Sequence, residues 1–405
     1  MIFTRPLALI LIAVLAQLSA GGCATPHRLA AVPEASLENA STGLGPIRFL
    51  ASRDSAAFAA EARNSLAKEV AWRSANGLRG ELPTAYFLAI SGGGDNGAFG
   101  AGFLSGWTAS ATRPEFKVVT GISTGALIAP FAFLGPRYDL ALERVYTSLS
   151  PGMVFKSRGL LRGVLSDGMA DSRPLARVIA LYADRALLDA IAAEYAKGRV
   201  LLVGTVNIDA LEPVIWNMTA IAANRDPRSI SLFRSVLLAS ASVPGAFPPV
   251  MIRVDVNGIQ HEEMHVDGGT MTQVFVYPPS VTTAQLRSPP RKRVLYVIRN
   301  ARFDPEWESV PRKTAAIAKR ALGSLTNAQG MGDLYRIFAT TRRDGVEFNL
   351  AYIPGDFKAR HREQFENAYM RKLFESGRAL AKGGYEWKRF PPGYEDAGDA
   401  RRGGR

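Results

Sequence analysis

Cysteine and histidine are the scarcest reactive residues of this 405-residue chain, which has one cysteine and four histidines. A single cysteine excludes an intramolecular disulfide and a zinc site built from several thiolates. With so little histidine, few imidazoles can act as the general base that a serine nucleophile usually needs. The four histidines are His27, His261, His265 and His361.

The sequence also lacks the extremes of composition that mark disordered, collagen-like or polytopic membrane proteins, since it is 47% hydrophobic and 21% charged. Its length is sufficient for one large buried core. Lysine and arginine outnumber aspartate and glutamate by 49 to 36, which gives a net charge of +13. Such a basic surplus attracts polyanions, but by itself it does not distinguish nucleic acid from an anionic membrane.

The apolar run near the N-terminus is too short to cross a membrane. It extends from Leu7 to Leu18 after Arg5, whereas a spanning helix needs about 20 residues, so we predict a signal peptide. The small residues 20–22 in front of Cys23 resemble the bacterial lipobox, whose cysteine is acylated and becomes the first residue of the mature protein. The alternative is an incidental cysteine after an ordinary signal peptide.

The lipobox resemblance implies a lipoprotein signal peptide at residues 1–22 and lipidation of Cys23. Ala24 stands where a retention signal would have Asp, so we expect an outer-membrane lipoprotein of the cell envelope. Removal of the signal peptide lowers the net charge only from +13 to +12. With a lipid anchor, the expected target of the basic surplus is a membrane surface and not nucleic acid.

The body of the chain alternates apolar runs typical of buried strands with segments of helical period. In the helix predicted at 98–110, Gly102 and Gly106 suggest a close crossing over the sheet. The alternation predicts an α/β fold with a mainly parallel central sheet. Strands are predicted at 86–90, 116–120, 200–206, 250–254 and 294–298, and helices at 55–73, 98–110, 126–134 and 364–381.

The first motif with chemical meaning is Gly121-x-Ser123-x-Gly125, between a predicted strand and a predicted helix. The glycines permit a sharp turn that lifts the serine hydroxyl above the sheet, at the N-terminus of the next helix. Ser123 is therefore the candidate nucleophile of an acyl-transfer reaction. The alternative is a plain strand-to-helix turn in which Ser123 caps the helix.

Three consecutive glycines, Gly92, Gly93 and Gly94, follow the first predicted strand. Their uncovered N–H groups can form a donor site for an oxyanion. With Gly97 they also fit the G-x-G-x-x-G pattern of dinucleotide sites, which requires an acidic residue at the end of the second strand. The nearest acid, Glu115, precedes that strand, so we predict an oxyanion hole instead.

The candidate base for Ser123 is Asp267, which precedes Gly268 and Gly269. An aspartate on such a tight turn can reach across a cleft without crowding. His265 stands two residues earlier and is the alternative base.

The order and spacing of these motifs resemble the patatin-like phospholipases, over residues 85–270. A further stretch, 238–249, resembles the family's A-S-x-x-x-P-x-x-F-P-P segment. The resemblance implies a three-layer α/β/α fold and a serine acyl hydrolase that cleaves carboxylic esters of phospholipids or related lipids. The motifs are the glycine loop 92–97, the serine turn 121–125 and the aspartate turn 267–269.

Carried onto this sequence, the resemblance implies Ser123 as nucleophile, Asp267 as general base and the amides of residues 92–94 as oxyanion hole, with no metal ion or organic cofactor. The chain departs from the family at Asn96, because the family's loop commonly has Arg or Lys before its last glycine. The loss of this charge leaves open whether the ester carries a phosphate headgroup.

We divide the chain into six segments, and two other functions remain open. One is a catalytically silent envelope lipoprotein that binds lipid or a protein partner, and the other is an acyltransferase with an acceptor other than water. The segments are the signal peptide (1–22), a flexible tether (23–50), an N-terminal helical extension (51–84), the catalytic domain (85–285), a C-terminal strand and helices that complete it (286–390) and a basic tail (391–405).

Overall fold

The computed structural model describes residues 28–159, 166–282, 285, 290–304, 307–359 and 362–394. Eleven strands are found in this part of the chain, and all except β4 and β5 belong to one sheet. They are β1 (Arg48–Leu50), β2 (Ala85–Ile90), β3 (Val118–Gly121), β4 (Lys156–Ser157), β5 (Ala170–Asp171), β6 (Val200–Asn207), β7 (Glu212–Asn217), β8 (Val250–Val256), β9 (Ile259–Asp267), β10 (Arg293–Arg299) and β11 (Glu347–Tyr352).

The sheet has the strand order β1-β7-β6-β3-β2-β10-β11, and the hairpin of β8 and β9 joins it through β6. The five neighbours from β6 to β11 are parallel, which confirms the predicted parallel sheet. Every residue of β6 is buried, as expected of a strand covered on both faces. The strand ends differ from the predicted ones by no more than two residues.

The described helices cover both faces of the sheet. Along β10, Leu295 and Val297 join the apolar cluster under the helix α10, while Ile298 joins the larger cluster under α2 and α11. The three-layer α/β/α prediction is therefore confirmed. The helices are α1 (Ser55–Ala75), α2 (Gly97–Ala109), α3 (Thr124–Leu134), α4 (Asp139–Ser148), α5 (Pro151–Val154), α6 (Arg173–Tyr182), α7 (Arg185–Ala196), α8 (Met218–Ala223), α9 (Arg228–Ser240), α10 (Thr314–Arg343) and α11 (Asn367–Lys382).

The close crossing predicted at Gly102 and Gly106 exists, but its partner is α11 and not the sheet. A Cβ at Gly102 would lie 1.9 Å from the carbonyl oxygen of Phe374, and one at Gly106 would lie 2.1 Å from that of Arg378. Only glycine permits this backbone contact between α2 and α11. The local sequence does not indicate this partner, because α11 lies about 270 residues later in the chain.

The expected flexible tether is wrong for its described part, because residues 28–47 pack on the body. Arg28 forms an ion pair of 2.7 Å with Asp209, and the Leu29 N–H donates to Glu262 at 2.9 Å. Several side chains of the segment are buried beside β8, namely Val32, Leu37, Ala40 and Leu44. These apolar residues occur singly and without a period, which is typical of a linker, although their side chains join the core of the fold.

Several sequence expectations fall outside the described residues. They are the signal peptide 1–22, the lipidation site Cys23, His27, His361 and the basic tail from residue 395 onward. Within the described residues, no helix combines the length and the apolar character needed to cross a bilayer. The apolar side of α11, including Leu373 and Phe374, packs into the core.

Candidate active site

Ser123 occupies a strained turn between β3 and α3. Its φ of 55° and ψ of −126° lie in a region that residues other than glycine rarely adopt. The flanking glycines make this turn possible, because a Cβ at Gly121 would lie 2.4 Å from the carbonyl oxygen of Gly125 and one at Gly125 would lie 2.3 Å from that of Ile90. The turn directs the Ser123 side chain away from the end of β3.

A buried serine from another helix holds this turn on the sheet. The Ser123 N–H donates to the Ser240 hydroxyl oxygen at 3.0 Å, and the Ser240 hydroxyl donates to the Gly204 carbonyl of β6 at 2.7 Å. Ser240 lies at the end of α9, within the stretch 238–249. Its role was not evident from the sequence, because the hydrogen bond joins residues 117 positions apart.

The ends of three strands explain why Asp267 lies beside Ser123. β3 pairs with β6 only as far as Gly121 and Val203. Because β7 occupies the other edge of β6, β9 takes the edge that β3 leaves, and it pairs Asp267 with Thr205. In space, Asp267 therefore lies directly beyond the end of β3, where the serine turn begins.

Asp267 is only 3% exposed. Its Oδ1 accepts the Gly269 N–H at 2.7 Å, while its buried Oδ2 has no hydrogen-bond partner among the described residues. Burial raises the pKa of Asp267 to about 7, against the opposing effects of the nearby Ser123 hydroxyl and the Gly269 amide. A carboxylate with this pKa is suited to accept a proton at neutral pH.

The glycine loop offers two amides instead of the three predicted. The Gly92 N–H already donates to the Gln273 carbonyl at 3.0 Å, which corrects its assignment to the oxyanion hole. For the Gly93 and Gly94 N–H groups no acceptor is found in the described part of the chain. Gly92 still adjoins the nucleophile, since a Cβ there would lie 3.2 Å from the Cβ of Ser123.

Asn300, directly after β10, holds the start of the glycine loop by hydrogen bonds. Its backbone N–H donates to the Ser91 hydroxyl at 2.8 Å and its side-chain amide donates to the Ser91 carbonyl at 2.9 Å. Its Oδ1 accepts the Gly100 N–H of α2 at 3.0 Å. Asn300 thus ties the loop to β10 and to α2, a role that the local sequence does not indicate.

Neither described histidine is available to Ser123. The two ring nitrogens of His265 contact Thr205 at 3.0 Å and Glu263 at 3.1 Å, and burial lowers the pKa of His265. The His261 ring contacts backbone carbonyls of the N-terminal segment. Among the described residues, Asp267 is therefore the better candidate base.

Asn96, which departs from the family pattern, is occupied by a structural contact. Its Oδ1 accepts the Tyr369 hydroxyl of α11 at 2.6 Å, and the neighbouring Asp95 accepts the Phe365 N–H at 3.0 Å. Asn96 therefore links the glycine loop to α11.

A buried arginine that no sequence motif indicates lies at the carboxyl end of β10. Arg299 is 4% exposed, and no carboxylate lies within 4 Å of its guanidinium among the described residues. Nη2 donates to the Asn327 side chain at 2.5 Å, whereas the buried Nε has no partner in the described part of the chain. Burial lowers the pKa of Arg299 to about 10, which the charge of Asp333 opposes.

Arg299 lies on the same side of the glycine loop as Gln273. A Cβ at Gly330 of α10 would lie 3.1 Å from Arg299 Nη1 and 3.4 Å from the side chain of Gln273. Gln273 in turn contacts both ends of the site, because its Oε1 lies beside Gly92 and its Nε2 donates to the Gly269 carbonyl at 2.6 Å. The Gln273 side chain thus lies between Arg299 and the candidate dyad.

An apolar cavity of about 370 Å³ begins next to the candidate dyad. Ile122 and Gly268, which are the neighbours of Ser123 and Asp267, both line it. Its other walls include Val274, Phe275 and Ile337. No group of three His, Cys, Asp or Glu side chains that could hold a metal ion occurs within the described ranges.

A family model described as patatin-like phospholipase matches residues 88–278. No curated protein sequence matches the chain. Similar solved structures include VipD of Legionella pneumophila, with 11% identity and a TM-score of 0.36, and human GIVD cytosolic phospholipase A2, with 12% identity and a TM-score of 0.34. A third is the complex of full-length SpcU with full-length ExoU of Pseudomonas aeruginosa, with 12% identity and a TM-score of 0.32.

These matches cover 75%, 82% and 74% of this chain for VipD, the human phospholipase and the Pseudomonas complex. In the same order, this chain spans 67%, 62% and 52% of the matched chains.

Replacement of Asp267 by Asn should stabilise the fold at alkaline pH. The folded-state pKa of about 7 exceeds the value near 3.9 of an unfolded chain, so wild-type stability falls as pH rises from 4 to 7 and then levels off. Asp267→Asn removes this loss, and we expect its free energy of unfolding to exceed that of wild type by up to roughly 4 kcal/mol at pH 8 and by little at pH 4.

Urea denaturation of both proteins at several pH values measures the difference. Asp189→Asn, at an exposed position of α7, is the matched control and should leave the wild-type curve unchanged. Parallel curves for wild type and Asp267→Asn would contradict the buried, proton-binding state of Asp267.

Proposed function

Residues 88–278 form a patatin-like phospholipase domain, a lipid acyl hydrolase, and from this premise we propose that Ser123 and Asp267 act as its catalytic dyad. The observation that carries the proposal is their adjacency in one cleft, where burial raises the pKa of Asp267 to about 7. An aspartate of ordinary pKa would be a weak base for a serine hydroxyl.

In the proposed mechanism, Asp267 accepts the proton of the Ser123 hydroxyl while Oγ attacks the ester carbonyl carbon. The Gly93 and Gly94 N–H groups donate to the oxyanion of the tetrahedral intermediate. Collapse of this intermediate breaks the bond to the alcohol, which takes the proton from Asp267. Water then attacks the acyl-Ser123 ester while Asp267 takes a proton from it. The second tetrahedral intermediate breaks its bond to Ser123 Oγ, which takes the proton back from Asp267, and the carboxylic acid leaves.

Ser123→Ala should abolish covalent labelling by a fluorophosphonate and lower ester turnover at least a thousandfold, because it removes the attacking oxygen. Labelling followed by in-gel fluorescence measures the first effect. Ser157→Ala, at an exposed serine of β4, should label like wild type.

The same experiment separates the competing functions. Wild-type protein that resists labelling and cleaves no ester would favour the catalytically silent lipoprotein. Labelled protein that transfers the acyl group to an added alcohol in preference to water would favour the acyltransferase. Release of free fatty acid, with the ester of the added alcohol formed only as a minor species, supports the hydrolase.

We further propose that the ester carries a phosphate headgroup, which Arg299 binds. This side chain supports the proposal because it is a buried cation without a carboxylate partner, and such a charge is costly unless it meets an anion. In this proposal Arg299 supplies a positive charge that the chain lacks at Asn96, where the family commonly has a basic residue. Lysophospholipids remain within this class, since they carry the same phosphate.

Arg299→Gln should raise the KM for a short-chain phosphatidyl ester about tenfold, because it removes the positive charge that meets the phosphate. The kcat, and the KM for a neutral ester of equal acyl length, should change less than threefold. Arg342→Gln, at the other end of α10, is the control. An equal loss on both esters would show that Arg299 has a structural role only.

We also propose that the protein is an outer-membrane lipoprotein anchored through Cys23. The support is the sequence, because the one cysteine of the chain follows a short apolar segment and small residues. Metabolic labelling with a palmitate analogue should modify the wild type, and Cys23→Ser should abolish both the label and recovery in the outer-membrane fraction. A labelled Cys23→Ser protein would refute this attachment site.

A further inference from the structure

The first half of α10 projects from the body of the protein. From Thr314 to Ala328, every residue except Ala316 is exposed, whereas Leu334, Ile337 and Phe338 in the second half are buried. The projecting segment is about 22 Å long at 1.5 Å per residue. An isolated helix of this length is marginal in water and usually depends on a partner for its apolar side.

This projecting half lies on the active-site side of the sheet. α10 connects two parallel strands, β10 and β11, so it runs antiparallel to them and begins beyond their carboxyl ends. Ser123 follows the end of β3 and Arg299 is the last residue of β10, and both strand ends lie at that same edge. The Asn327 contact with Arg299 marks the point where the helix leaves the body.

The apolar residues of the projecting half point away from the protein. With 3.6 residues per turn, Ile317, Leu322 and Leu325 fall within an arc of about 140°, and Leu325 points about 160° away from Asn327. Their exposed fractions are 53%, 62% and 67%. Trp307, seven residues before the helix, is 79% exposed. Three large apolar side chains on one exposed side of a helix are unusual on the surface of a monomer.

The charge of the segment selects the partner. Residues 309–332 contain four basic side chains and no acidic one. Lys319 and Arg320 lie at about 120° and 140° from Leu325 on the helix, so they flank the apolar arc. Arg320 contacts Glu308 at 3.3 Å. Within the described part of the chain, no carboxylate lies within 4 Å of the other three basic residues, which are Arg312, Lys313 and Lys319. Apolar residues flanked by basic ones are typical of helices that lie in the interface of an anionic bilayer.

We propose that the projecting half of α10 docks on the surface of an anionic lipid bilayer and brings the carboxyl edge of the sheet to the lipid. The inference rests on the proposed function, because a lipid hydrolase must meet its substrate at such a surface. The N-terminus agrees with this orientation. Arg28 is held at Asp209, just beyond the carboxyl end of β6, and five residues span at most about 18 Å. An acylated Cys23 would therefore tether the same edge.

A fluorophore on the helix tests the docking directly. The full chain carrying Cys23→Ser and Leu325→Cys has a single thiol, which is labelled with an environment-sensitive dye. Vesicles of phosphatidylglycerol and phosphatidylcholine should shift its emission to the blue and raise its intensity at least threefold, whereas pure phosphatidylcholine vesicles should have a much smaller effect. The same label at Leu181→Cys, a 71% exposed leucine of α6, should not respond.

Three results would overturn the proposal. An unchanged emission with both kinds of vesicle would exclude docking, and an equal response to both would exclude the anionic surface. A blue shift that grows with protein concentration in the absence of vesicles would assign the apolar arc to a second copy of the chain.

Turnover provides a second measurement. In Leu322→Asp with Leu325→Asp, the ratio of turnover on anionic vesicles to turnover on a soluble butyrate ester should fall at least tenfold. The control pair, Leu140→Asp with Leu181→Asp on α4 and α6, should keep the wild-type ratio. If the wild type cleaves neither substrate, the proposed function fails, and the fluorescence result still decides whether the helix docks. An unchanged ratio in the α10 variant would overturn the role of docking in substrate delivery.

Discussion

The burial of one carboxyl group is the constraint on which the rest of the site depends. In water, Asp267 would have a pKa near 4 and would rarely take a proton from a serine. In the fold its pKa is about 7 because burial disfavours the charged form. This position costs stability at neutral pH, so the neighbouring structure must hold the side chain in place. Its own backbone N–H is bonded to Ser242, and its Oδ1 is bonded to the Gly269 amide.

The strained backbone of Ser123, beside Asp267, is a second cost in stability. Ser123 has a positive φ, which the bond to Ser240 and the tight packing of Gly121 and Gly125 maintain. Strain of this kind persists only where the surrounding structure determines the backbone conformation. Both costs fall at the carboxyl edge of the parallel strands, among which β6 is buried along its whole length. The burial of hydrophobic surface in the core offsets them.

The sequence predicted those parts of the molecule that local pattern controls. Apolar runs identified five of the eleven described strands to within two residues, and glycine spacing identified the turns at Ser123 and Asp267. Contacts between distant segments were not predictable. Arg299 resembles any basic residue at a strand end, and its burial depends on α10. The N-terminal segment resembled a tether because its apolar residues show no period. The Gly92 N–H, which the glycine loop alone would leave free for an oxyanion, donates to a backbone carbonyl about 180 residues away.

The location of the site at one edge of the sheet has a consequence for how a lipid can reach it. Moving a sixteen-carbon acyl chain from a bilayer into water costs on the order of 12 kcal/mol, at about 0.8 kcal/mol per methylene. A cleft that faced bulk water would add most of this cost to the barrier. The apolar cavity beside the dyad can accept part of such a chain, but it avoids the cost only if its mouth lies against the membrane. The projecting helix, the ends of the parallel strands and the attachment point of Arg28 all occur at that edge, and they would present the cleft to the bilayer surface together.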